Sequence, residues 1–132
     1  MAMALANACY RPDKVQYVCA HGPSDQTLDR AETEAIKAVF KAHAYAVPVS
    51  SIKGVTGNPL CAAGALECAA SAMAILHQCV PPTANYENPD PDCDLDYVPE
   101  GPRQLELQTV LLNAHGLGGG NASLVLEQVN LS

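Results

Sequence analysis

The spacing of apolar residues changes its period several times along this chain, and each change predicts an element. Met1 to Cys9 reads as a short Ala-rich helix ended by Arg11-Pro12-Asp13. Val15 to Ala20 is a compact β-branched and aromatic run, which predicts a strand. Pro23 to Thr27 supplies turn and capping residues, and from Leu28 the positions Leu28, Ala31, Ala35, Ile36, Val39 and Phe40 follow helical spacing to about His43. Ala46 to Ser51 predicts a second strand, and Cys61 to Val80 a long helix of small residues. Pro81 to Gly101 is rich in Pro, Asn and Asp and has no period; it predicts a long connection with at most a short strand at Leu95 to Val98. Leu105 to Asn113 and Ala122 to Val129 are β-rich runs joined by His115-Gly116-Leu117-Gly118-Gly119-Gly120, which predicts a hairpin. Strand-helix-strand alternation closed by a hairpin implies an α/β fold with a mixed sheet.

Composition narrows the function classes. The 132 residues suit one domain, 1–132, and 48% of them are apolar, enough for a core. A net charge of −7 with only seven Lys and Arg argues against a nucleic-acid partner. The helix Cys61 to Val80 has the length of a membrane span. Glu67, His77 and Gln78 interrupt it, however, and Ala outnumbers Leu and Ile, so burial against sheet or helix is expected and no membrane partner. Met1 to Ala6 lacks the basic and apolar regions of a secretory signal, and the expected location is cytoplasmic. In that compartment the six cysteines (Cys9, Cys19, Cys61, Cys68, Cys79, Cys93) are expected to be buried free thiols. None forms a C-x-x-C pair, and no metal site is expected.

Candidate chemistry gathers at strand ends. His21 follows the first strand and His115 ends a later one, where open α/β sheets place ligand-binding groups; structural and functional roles are equally open for both. His43 and His77 lie near helix C-termini and read as structural. The glycine turn after His115 runs into a strand rather than a helix, so it predicts a tight turn and not a dinucleotide site; no cofactor is expected. Lys53 is a lone cation beyond a strand, and Glu67 an acid on an apolar helix that needs a polar partner. Asp29 and Glu32 read as ordinary acids of a first helical turn.

Several of these segments, in order, resemble the C-terminal half of the β-ketoacyl-acyl carrier protein synthases. The resemblance runs through Tyr17-Val18-Cys19-Ala20-His21-Gly22, Asp29-Arg30-Ala31-Glu32, Val49-Ser50-Ser51-Ile52-Lys53 and Ala62-Ala63-Gly64-Ala65-Leu66-Glu67. It continues through Pro81 to Asp90, Cys93 to Pro99 and the glycine turn. It implies the C-terminal half of a thiolase-like fold, a mixed sheet packed by helices, with the first strand of that half missing from this chain. On the family pattern that strand would sit centrally, so two strand pairs are expected to face each other with open edges. Strand exchange between copies, an N-terminal partner or a rearranged sheet would satisfy them.

The implied activity is decarboxylative condensation in fatty acid or polyketide biosynthesis, with acyl carrier protein as partner. In the family a cysteine and two histidines carry it. The resemblance implies catalytic positions at His21, Lys53 and Asn58, where Asn58 replaces the second histidine. Pro23, Asp25, His115 and Gly116 would fall in the substrate and oxyanion region, with Glu67 in support. Pro23 and Asp25 replace hydroxyl residues, and His115 replaces the phenylalanine gate. The nucleophilic cysteine belongs to the family's N-terminal half, and an amide at position 58 can donate a hydrogen bond but cannot titrate near neutrality. The expectation is therefore a domain inactive by itself, completed by an N-terminal synthase half or by a second copy. A non-catalytic chain-length-factor-like subunit, or a stand-alone acyl- or pantetheine-binding module, is the alternative. The acidic charge slows encounter with acyl carrier protein, itself acidic.

Overall fold

Residues 1–129 are described by a computed structural model. Its first helix is α1 (Ala2–Asn7), and β1 (Tyr17–Cys19) follows. Next come α2 (Gln26–Phe40), β2 (Val49–Ser50), the short α3 (Lys53–Thr56) and α4 (Ala63–His77). Four strands complete the order: β3 (Cys79–Val80), β4 (Arg103–Gln104), β5 (Thr109–His115) and β6 (Asn121–Glu127). The main sheet runs β2-β1-β5-β6, with β1 parallel to β2 and to β5, and β5 antiparallel to β6. The mixed sheet expected from the alternation is present.

Side-chain parity explains how the sheet is covered on both faces. Val18, Val49 and Leu111 face one way and pack with Ile36 and Phe40 of α2 and with Leu5 of α1. Tyr17, Cys19, Val110 and Leu112 face the other way and pack with Ala74 and Ile75 of α4. Strands buried on both faces read as continuous apolar runs, as Val110-Leu111-Leu112 does.

Of the outcomes expected for the open edges, the rearranged sheet is the one present: the two strand pairs close on each other, with Tyr17, Val18 and Cys19 paired with Val110, Leu111 and Leu112. Those residues are almost fully buried, where unpaired backbone groups would be costly. Among the described residues the outermost strands of the sheet are β2 and β6, and β2 is partly covered by the connection, where the Val49 N–H donates to the Asp96 carbonyl at 2.8 Å. Leu95 to Val98 forms no strand; a two-stranded ladder of β3 with β4 brackets the connection instead. The connection is also anchored by charge, with Arg30 on Asp90 and Asp92, Lys37 on Asp94, and Arg103 on Asp96 and Glu100. Of the cysteines, only Cys19 and Cys93 are buried, while Cys9 and Cys61 are exposed, so the reading of all six as buried thiols is corrected.

The long helix ends at His77 rather than Val80, because Gln78 adopts a left-handed conformation. Leu60–His77 is long and apolar enough, by length and composition alone, to cross a membrane. It is buried on one face only: Leu66, Met73 and Leu76 are 42%, 51% and 70% exposed. Full burial, expected from its composition, is not what the described chain provides.

Candidate functional site

The site forms where β1, β2 and β5 end. His21 extends β1 and continues the face of Tyr17 and Cys19, toward α4. Gly22 then turns the chain at φ 38°, and a Cβ there would lie 2.7 Å from that of Ser51. This close approach lets the ends of β1 and β2 meet, placing Lys53 against His21. Lys53 Nζ donates to the His21 carbonyl oxygen at 2.5 Å, lies 3.3 Å from His21 Nδ1, and forms an ion pair with Glu67 Oε1. His21, Lys53 and Glu67 are 6%, 8% and 1% exposed, so the cluster is largely buried within this chain, with Lys53 on the wall of a cavity.

An ammonium only donates, so the Lys53 contact leaves His21 Nδ1 as acceptor and puts the ring proton on Nε2. Burial, and then the Lys53 charge, hold the His21 pKa below its ordinary value and favour this neutral tautomer. The Glu67 carboxyl is pushed above its usual range by burial, against the opposing pull of Lys53. Its Oε2 has no hydrogen-bond partner.

A second carboxylate reaches the site from α2. Glu32 is 4% exposed and accepts the backbone N–H groups of His21 and Gly22, both at 2.9 Å, and the Asn113 amide at 2.7 Å. Burial alone would raise its pKa. The neighbouring His115 ring, together with the hydrogen bonds from Gly22, Asn113 and His21, outweighs that, and it lies below the usual value. Reading Glu32 as an ordinary first-turn acid is therefore corrected: it holds the loop that carries His21. The sequence did contain a signal, since Glu32 stands four residues before Ile36 and eight before Phe40, in line with the buried face of α2.

The remaining candidates separate. His115 lies edge-on to His21, with ring centroids 5.1 Å apart and planes at 76°. Gly116 commits its N–H to the Gly120 carbonyl at 2.7 Å, within the turn. Asp25 is exposed and caps α2, accepting from the N–H groups of Thr27 at 3.0 Å and Leu28 at 2.9 Å; it lies off the cavity wall. Pro23 and Asn58 do border a cavity of about 650 Å³ that also touches Glu32, Ser51, Lys53 and Asp29. Asn58 is exposed, and its Oδ1 accepts the Leu60 N–H at 3.3 Å. His43 Nε2 meets the Val15 carbonyl at 2.9 Å, in keeping with a structural role. Among the described residues no group of three His, Cys, Asp or Glu is arranged to hold a metal ion.

Comparison with known proteins places this geometry. The family described as "Beta-ketoacyl synthase, C-terminal domain" matches residues 1–87. The chain is 47% identical over 129 residues to 3-oxoacyl-[acyl-carrier-protein] synthase 2 of Coxiella burnetii, covering 98% of this chain and 31% of that protein. It superposes at a TM-score of 0.94, with 41% identity, on a chain of the complex between a type II PKS acyl-carrier protein and its ketosynthase bound to the hexaketide, covering 97% of this chain and 31% of that one. It also superposes at 0.81, with 29% identity, on a chain of a Xenorhabdus doucetiae ketosynthase in complex with its chain length factor, covering 96% and 32%. The chain thus spans about a third of the length of the proteins it matches.

Proposed function

Since this chain belongs to the β-ketoacyl synthase family, matching its C-terminal domain, we propose that residues 1–132 act as one domain supplying the decarboxylation half of a condensing site. A cysteine-bearing N-terminal part supplies the acyl half. The observation that carries the reading is the neutral His21, with Lys53 at Nδ1 and the proton on Nε2. When a malonyl thioester loses carbon dioxide, charge develops on the thioester oxygen. A preorganised Nε2–H stabilises that oxygen without having to reorganise. Asn58, on the cavity wall, is the second donor in place of a titrating histidine. The resulting carbanion attacks the carbonyl of an acyl group carried as a thioester on the partner's cysteine, forming the new carbon–carbon bond as the carbon–sulfur bond breaks and the thiolate leaves. Glu67 holds Lys53, and Glu32 holds the His21–Gly22 backbone, so both acids position the imidazole.

The outer face of α4 is the surface this reading assigns to the N-terminal part, because Leu66, Met73 and Leu76 need cover. Acyl carrier protein is the delivering partner, in keeping with the superposition on a ketosynthase chain solved with one. The cytoplasm is the compartment the reading assigns.

The test is complementation. This chain, mixed with a polypeptide covering the preceding two-thirds of a synthase relative, is expected to release carbon dioxide from malonyl-acyl carrier protein and form a β-ketoacyl product. His21→Ala should reduce that rate about 100-fold or more, the effect of losing one oxyanion donor. Asn58→His should raise it. A stable complex that never condenses, even with Asn58→His, favours a chain-length-factor-like subunit, the reading that the Asn58 and His115 departures support. Absence of both complex and activity overturns the proposal.

A further inference from the structure

Asn113 and His115 lie on the same face of β5, two residues apart, and compete for one oxygen. Asn113 Nδ2 donates to Glu32 Oε1 at 2.7 Å, while His115 Nε2 lies 3.6 Å from that oxygen and 3.0 Å from Asn113 Nδ2. The carboxylate accepts only, so the group beside it is the amide NH2 and not the amide oxygen. His115 Nε2 therefore accepts the second amide hydrogen. Its ring proton sits on Nδ1 and is donated to Asn121 Oδ1 at 2.5 Å. This arrangement is complete only while His115 is neutral. A proton on Nε2 would set two donors against each other at 3.0 Å.

We propose that His115 is a positioning residue for His21: on protonation it takes Glu32 Oε1 from Asn113 and draws in the carboxylate that holds the His21–Gly22 backbone. The proposal needs no condensation activity, and its failure leaves the preceding reading standing. The groups facing His115 are Glu32 from α2, Glu67 from α4, His21 from the end of β1, and Asn121 from β6, with Lys53 behind His21. The Glu32 carboxylate 3.6 Å away, offset in part by burial and supported by Asn121, raises the His115 pKa. Burial and then Lys53 lower that of His21, with His115 adding to the effect. Of two imidazoles 5.1 Å apart, the one on β5 takes the proton first.

The experiment is an NMR titration of the full chain with labelled histidine and asparagine, following the ring Cε1–H signals and the Asn113 side-chain amide. His115 is expected to titrate above the ordinary histidine value of about 6.5, and the Asn113 amide to shift with the same midpoint. Glu32→Gln should lower the His115 midpoint by about half a pH unit or more. His115→Phe should abolish the Asn113 step and raise the His21 midpoint. An Asn113 amide that stays flat while His115 titrates overturns the proposal, as does a His115 midpoint that Glu32→Gln leaves unmoved. If amide dispersion shows that Glu32→Gln is unfolded, His115→Gln decides: the Asn113 step disappears or the proposal fails.

Discussion

α2 and α4 are each 15 residues long, lie on opposite faces of one sheet, and each send one buried glutamate to the site. Their surroundings differ. α2 is amphipathic, capped by Asp25, and turns a charged face to water that pairs with the 81–101 connection. Glu32 arrives with its hydrogen bonds supplied by the loop after β1 and by Asn113 of β5. α4 has no side-chain cap and is apolar nearly all round, and Glu67 depends on the single cation Lys53. A helix apolar all round belongs in an interior. α2 completes its contacts within this chain; α4 leaves Leu66, Met73 and Leu76 exposed.

The sharpest way to break that contrast is at the ion pair. Lys53→Met leaves Glu67 buried without its cation and is expected to destabilise the chain by about 3–5 kcal/mol in denaturant unfolding. Adding Glu67→Leu should recover most of the loss, since replacing both partners of a buried pair is often near neutral. A cost below about 1 kcal/mol for Lys53→Met would mean that the pair does not hold α4.

On α2 the expected effect is smaller and opposite in sign. Burial raises the Asp29 carboxyl to about 6, with the neighbouring Glu32 charge adding to it, and Oδ1 has no partner. A carboxyl whose folded pKa is raised stabilises the fold below its unfolded pKa of about 3.8 and loses that contribution as pH rises through about 6. Asp29→Asn should therefore stabilise the chain at pH 7 by about 1–2 kcal/mol, allowing for solvent screening. It should also flatten the stability profile between pH 4 and 6, a range set by those two values. Unfolding midpoints at pH 4 and pH 7 check both.

The smallest effect on stability is expected on the outer face of α4. Leu66→Gln and Leu76→Gln should each change the unfolding free energy by about 0.5 kcal/mol or less, because both side chains already meet solvent. Yet the pair should weaken assembly with an N-terminal synthase part by tenfold or more, read by titration calorimetry. Unchanged assembly would separate α4 from the interface assigned to it.

Much of the architecture was legible because burial leaves a periodic mark. The apolar stripe through Ile36 and Phe40 gave α2, and the runs around Val18 and Leu111 gave paired strands. The Lys53–Glu67 contact was legible for a different reason: an acid on an apolar helix must find a partner. Glu32 was passed over because helix-start acids are usually solvated, and only the β5 register, which puts Asn113 and His115 on its side, shows where it goes. Asp25 was legible as a cap among the turn and capping residues Pro23 to Thr27, since its first hydrogen-bonding opportunity is the start of its own helix. The β3–β4 ladder, two residues from each side, is too short to leave a periodic trace.

By itself the sequence determined the kinds of element, their order and the family, all of which rest on local spacing and motif identity. The tertiary structure decided which strands became neighbours, that β1 and β5 close on each other, and which two acids converge on His21. Those outcomes depend on register and on contacts between residues far apart in the chain. The glutamates themselves look alike in the sequence; only their partners across the sheet give Glu32 a saturated cradle and leave Glu67 one cation.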